Sequence, residues 1–136
     1  MSVFKRIINN SSDGKACWVA GWGTLQAGGS SPDLLQSVGV NILSQDYCAA
    51  NSNNGALLPD DICAGNPDKD GNGLTDEGID SCSGDSGGPL VCDVGGAATL
   101  VGVVSRGAGC ANEGFPGLYT AVHTDTWIAD TIAANP

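Results

Sequence analysis

The stretch Gly84-Asp85-Ser86-Gly87-Gly88-Pro89, preceded by Asp80-Ser81-Cys82-Ser83, restricts this chain more than any other. It places a serine between an acid and two glycines at the tip of a tight bend. The glycines let the backbone turn sharply and let another molecule approach with no Cβ in the way. A hydroxyl that does chemistry needs an exposed oxygen, room for an approaching carbonyl, and N–H groups aimed at the oxyanion that develops. Ser86 would supply the hydroxyl, and Gly84 and Ser86 the N–H groups. A G-x-S-x-G match on its own also describes a Gly-rich turn with a solvated serine, so the remainder of the chain has to choose between the two.

The chain has 136 residues, enough for one domain with a real core. Its formal net charge of −10 excludes a nucleic-acid binder, which needs a basic face. The six cysteines point to an oxidising compartment and leave their connectivity open. No C-x-x-C or H-x-x-x-H spacing suggests zinc. No apolar run approaches a membrane span, and Met1–Ile8 lacks the apolar core of an export leader. A cysteine-rich chain without such a leader is expected to be part of a longer secreted protein.

Taken in order, residues 1–16 are polar and weakly patterned. Ala16–Leu25 reads as a strand, with Trp18 and Trp22 expected in core or sheet packing. Gln26–Pro32 is a Gly/Ser loop. Leu35–Leu43 alternates, with Val38, Val40 and Ile42 on one face. Ser44 is an N-cap for a helical turn through Cys48, and Ala49–Asn54 reads as loop. Asp61–Ala64, Pro89–Asp93, Thr99–Arg106 and Leu118–Val122 read as strands, with a turn at Gly95-Gly96. Asp125 caps a final helix whose Trp127, Ile128 and Ile132 would lie against the strands. Several short strands with turns between them predict an all-β domain, a small antiparallel barrel.

Asn66–Ile79 carries a second motif. Against a calcium-loop template, Asp68, Asp70 and Asn72 fall at ligand positions one, three and five. Gly73 falls at the turn glycine, Leu74 at the carbonyl position and Asp76 at position nine. The bidentate Glu of position twelve is replaced by Ile79, and no flanking helices are suggested. Calcium is therefore weighed against a plain acidic surface loop, and no other cofactor is required.

The blocks CWVAGWGTL (17–25), ILSQDYC (42–48), DICAG (61–65), DSCSGDSGGPLVC (80–92), GVVSRGAGCA (102–111) and GFPGLYTAV (114–122) together resemble the trypsin/chymotrypsin-like serine proteases, in that family's order and spacing. The resemblance covers only the second half of that family's domain. It implies a single six-stranded antiparallel Greek-key barrel with a C-terminal α-helix, built by residues 17–136, with residues 1–16 as the inter-barrel linker. It implies the disulfides Cys17–Cys92, Cys48–Cys63 and Cys82–Cys110. The calcium loops known in the family lie in its other half.

The same resemblance assigns roles. Ser86 is the nucleophile and the Gly84 and Ser86 amides form the oxyanion hole. Asp85 is the partner of a new N-terminal ammonium released by proteolytic activation, and within this chain it has no obvious partner. Asp80 is the floor of the primary pocket, with Ser81 beside it and Gly107 and Gly117 as the walls, which implies a polypeptide substrate cut after Arg or Lys. Ser105, Arg106 and Gly107 pair with the substrate as an added strand. The family usually has an aromatic residue where Arg106 stands. Arg106 is expected either to favour acidic side chains beside the scissile residue or to be solvated and inert.

The mechanism also needs a histidine base and an aspartate to orient it, both in the family's first half. The single histidine, His123, does not match that base and is expected at the surface or at a helix entry. The chain alone is therefore expected to be inactive, and the N-terminal half of the domain is the expected partner. The competing readings are a non-catalytic homologue acting as a binding module and a calcium-dependent interaction domain. A lone second barrel is also expected to expose an apolar face.

Overall fold

The computed structural model describes residues 16–51, 56–66, 68–124 and 126–136. The expected linker therefore lies outside the described residues except for Ala16, as does the expected cap Asp125.

β-Branched and alternating apolar residues form six strands: β1 (Ala16–Gly21), β2 (Gln36–Ile42), β3 (Asp61–Gly65), β4 (Pro89–Val94), β5 (Ala97–Arg106) and β6 (Gly117–Ala121). They close into an antiparallel barrel in the order β1-β2-β3-β6-β5-β4, with β4 returning to β1. The connection from β3 to β4 crosses to the far side of the sheet, and it carries both the acidic loop and the Ser86 loop. Closure leaves no sheet edge to protect. The all-β barrel with a C-terminal helix agrees with the expectation from sequence.

The barrel interior is filled by Val19, Val40, Ile42, Ile62, Leu90, Val101, Val104, Tyr119 and Ala121. On β1, β2, β3, β4 and β6 the buried set keeps the period of two of the pleat, while on β5 Val101 and Val104 lie three apart, across the register shift against β4. Along β2 the inward set is Val38, Val40 and Ile42, as the alternation predicts. Strand β3 is buried on both faces, because Cys63 turns outward to Cys48 and Leu118 and forms a second, smaller cluster. The disulfides are Cys17–Cys92, joining β1 to β4, Cys48–Cys63, pinning helix α1 (Gln45–Asn51) to β3, and Cys82–Cys110.

Four local expectations are corrected. Strand β1 ends at Gly21, where the chain turns to meet Asp85, so Trp22 lies beyond the sheet and is 57% exposed. Helix α1 runs past Cys48 to Asn51, where the Asn51 side-chain amide donates to the Tyr47 carbonyl. Ser44 does accept the Tyr47 N–H at 3.2 Å, as a cap should. Strand β6 stops at Ala121, and Val122–Thr124 is a short 3₁₀ turn that carries exposed His123. The final helix, α2 (Trp127–Ala134), buries none of its residues: Trp127 and Ile132 are each 68% exposed. Its apolar residues are therefore left largely exposed.

Candidate active site

The loop before β4 is built from two interlocked turns. Asp85 N–H donates to the Cys82 carbonyl and Gly88 N–H to the Asp85 carbonyl. Gly84 has φ of 98°, a conformation an L side chain rarely adopts, which is why glycine precedes Asp85. Gly87 N–H and the Gly88 carbonyl then bond to Val104 of β5, fixing the loop to the barrel rim. Ser86 is left at the tip, at the mouth of a cavity. Among the described residues, neither the Gly84 nor the Ser86 N–H has a hydrogen-bond acceptor.

That cavity, of about 230 Å³, runs from Ser86 past Ser105, Arg106 and Gly107 to Asp80 and Ser81. The Cys82–Cys110 disulfide lines it and ties together the two segments that carry Asp80 and Gly107. The Asp80 carboxylate accepts the Ser81 N–H at 2.7 Å through Oδ1 and the Ala111 N–H at 3.3 Å through Oδ2. Burial pushes its pKa up to about 6, against these two N–H groups, which favour the anion. The Ser81 hydroxyl lies 3.5 Å from Asp80 and 3.4 Å from the Tyr119 phenol. Gly117, at the start of β6, is buried directly against this floor: a Cβ there would meet Asp80 Oδ1 at 2.5 Å.

Ser105 owes its position to a β-bulge. Val104 pairs with Tyr119 and Arg106 with Leu118, so Ser105 is the extra residue and is turned outward. Beyond Pro89–Val103 strand β5 has no β4 partner, which leaves the Ser105–Gly107 backbone at the rim.

Arg106 is partly exposed and is not free. Its guanidinium grips the Asp61 carboxylate with both forks, Nη1 to Oδ1 at 3.0 Å and Nη2 to Oδ2. Burial would raise the Asp61 pKa, but Arg106 and the Leu58 N–H outweigh it and hold the carboxyl below the usual range. Asp85 has partners as well, contrary to expectation: its carboxylate accepts the Gly23 N–H at 2.8 Å and the Cys82 N–H at 2.9 Å. It borders a second cavity of about 280 Å³, lined by Gly21, Gly23, Ser37, Ile79 and Cys110 among others.

Asp68, Asp70 and Asp76 of the acidic loop line neither of these cavities; Asp70 and Asp76 border a third one with Lys69, Glu77 and Glu113. The carboxylates of Asp68, Asp70 and Asp76 come within 4.8 Å of one another. Asp68 accepts the Gly71 and Gly73 N–H groups, and Asn72 Oδ1 accepts the Leu74 N–H. Ile79, at the position a bidentate acid would need, instead packs on the barrel core. His123 lines neither cavity.

Sequence reasoning missed three contributors. Asp61 lies 45 residues from Arg106 with no motif to join them. Tyr119 read only as a strand residue. Ala111 orients Asp80 through its N–H and holds φ of 57°, unusual for a residue with a Cβ. None of the three carries a local signal.

The family model described as Trypsin matches residues 6–128. Trypsin of Xenopus laevis is 43% identical over 127 residues, 92% of this chain and 47% of the relative. Anionic trypsin of Bos taurus is 44% identical over 128 residues, 92% of this chain and 46% of the relative. Trypsin-1 of Astacus astacus is 45% identical over 112 residues, 81% of this chain and 44% of the relative. The chain thus spans about half the length of the curated relatives it matches. With a match that runs through every element of the Ser86 loop and its cavity, the chain belongs to the trypsin family of serine proteases.

Proposed function

We propose that this chain carries the nucleophile and the primary specificity pocket of a secreted endopeptidase that cuts polypeptides after Arg or Lys. The observation that carries the reading is the cavity joining Ser86 to the Asp80 carboxylate. A long cationic side chain entering it would exchange water for an anion on a narrow floor, and a neutral one would leave that anion partly desolvated and unpaired. The substrate backbone would lie along Ser105–Gly107 as an added strand, bringing its carbonyl to Ser86. The Gly84 and Ser86 amides would receive the oxyanion, an effect worth about 10²–10³ in turnover per donor.

The proton acceptor comes from the N-terminal half of the protease domain, which would supply the histidine and its aspartate. Without a base Ser86 is an ordinary alcohol, and turnover falls by about six orders of magnitude in a comparable triad. The Asp85 cleft would receive the ammonium of a newly cut N-terminus. That ammonium would compete for Asp85 with the Gly23 and Cys82 amides and reset the oxyanion loop. Three cystine bridges among the described residues support the secreted setting, because such bonds persist where thiols are not kept reduced.

The test is fluorophosphonate labelling of the activated full-length protein, with Ser86→Ala as control, alongside cleavage of Arg, Lys and Gln peptides. Labelling at Ser86 with cleavage after Arg and Lys only is the expected result. Full-length protein that takes no label and cuts nothing, yet binds basic peptides, would make it a non-catalytic binding module.

A second reading concerns the acidic loop, and the clustering of Asp68, Asp70 and Asp76 favours it. These three, with Asn72 and the Leu74 carbonyl, would hold calcium weakly, because Ile79 leaves the bidentate position unfilled. Calorimetry should give binding in the millimolar range that Asp68→Asn abolishes; no heat at millimolar calcium ends this reading.

A further inference from the structure

Resting on the endopeptidase reading, we propose that the Asp61–Arg106 pair determines what the site accepts immediately before the basic residue: a flat aromatic or apolar side chain, in preference to an acidic one. Arg106 borders the same cavity as Ser86, Ser105 and Gly107, so a substrate strand laid along that rim passes over it. An unpaired arginine there would select carboxylates. This one is already paired, fork to fork, with an acid only 3% exposed.

The pairing cannot easily be released. Asp61 Oδ2 also accepts the Leu58 N–H at 2.7 Å, and Asp61 N–H donates to the Leu58 carbonyl. The Asp61 carbonyl accepts the Gln45 side-chain amide at 2.8 Å. The acid is thus clamped from its own backbone outward, and withdrawing Arg106 would strand a buried anion. Asp61 takes one N–H from each terminal nitrogen, so a substrate carboxylate would have to share the guanidinium with an anion already in place, in a protein of net charge −10 whose Asp80 borders the same cavity.

With its donor edge turned to Asp61, Arg106 has its planar faces left for a substrate, and its side chain is 30% exposed. A guanidinium whose edge is paired keeps its charge and offers its plane to an aromatic ring, through stacking and cation–π attraction. Lysine could not substitute, having neither the fork nor the plane.

The test uses activated full-length protein and two peptide substrates that differ only in the residue before the arginine, Phe against Asp, plus an arginine ester with no preceding residue. The wild type should favour Phe by about tenfold in kcat/KM. Arg106→Lys keeps the charge and should cut that ratio severalfold. Asp61→Asn frees the guanidinium from its anion and should bring the ratio near or below one. Both substrates meet the same folded enzyme, so the ratio is blind to any loss of stability, and R106K carries the test where D61N fails to fold. A wild type that favours Asp, or a ratio unmoved in R106K, overturns the proposal while ester hydrolysis keeps the endopeptidase reading intact. An ester left unhydrolysed removes that reading and this proposal with it.

Discussion

Gly117 lies so close to Asp80 that a Cβ on it would stand 2.5 Å from the carboxylate Oδ1 and 3.2 Å from the Tyr119 ring. The glycine therefore leaves the pocket floor the space its carboxylate occupies. Gly117→Ala should push Asp80 out of its position between the Ser81 and Ala111 amides. In the full-length protein, KM for an arginine substrate should rise at least about tenfold, the scale of losing one charge-assisted hydrogen bond. Steady-state kinetics on G117A would check this, and an unchanged KM would mean that basic side chains do not reach Asp80.

Asp80 should also give binding a pH dependence. Its pKa of about 6 means that the empty pocket loses its charge as pH falls through that value. Affinity for a small amidine should be constant above this range and fall about tenfold per unit well below it. The sign for stability is opposite. The folded pKa lies above the ordinary aspartate value of 3.8 that the unfolded chain would show, so the folded state holds the proton more tightly. Asp80 then weakens the fold progressively as pH rises from about 4 to about 6. Asp80→Asn should remove both effects, which titration calorimetry and denaturation at several pH values would read.

Asp85 is a structural acceptor. Asp85→Ala strips the Gly23 and Cys82 N–H groups of their acceptor. Leaving partly buried donors unpaired costs about 1–3 kcal/mol each. Denaturant unfolding should place D85A at least about 2 kcal/mol below wild type. A midpoint equal to wild type would mean that water replaces the carboxylate at no cost.

The apolar face of α2 predicts association. Trp127, Ile128 and Ile132 are 68%, 36% and 68% exposed, and Trp22, Leu25 and Leu35 are exposed as well. Expressed alone, the chain should self-associate. Ile132→Asp should shift sedimentation toward monomer. A wild-type chain that sediments as a clean monomer at high concentration would refute this.

The barrel was legible because strand alternation and turn glycines act over a few residues. Val38, Val40 and Ile42 face inward for a reason written in their spacing, and the Gly84 bend could be read from its neighbours. Strand ends were less legible: β1 stops at Gly21 because Asp85, far along the chain, occupies the space beside Gly21 and Gly23.

Residue type and local order were enough to point to the serine at its glycine-rich bend and to an antiparallel barrel of short strands, since each depends on short-range sterics and pleat, whereas the disulfide beside Asp80 was implied by the family resemblance. The partners of the charged groups came from folding alone. Arg106 meets Asp61 across 45 residues, and Asp85 meets Gly23 across 62. The same holds for α2, whose apolar stripe predicts burial and is nonetheless left largely exposed. Electrostatic pairing and burial depend on which surfaces meet in space, and no local pattern in the chain records that.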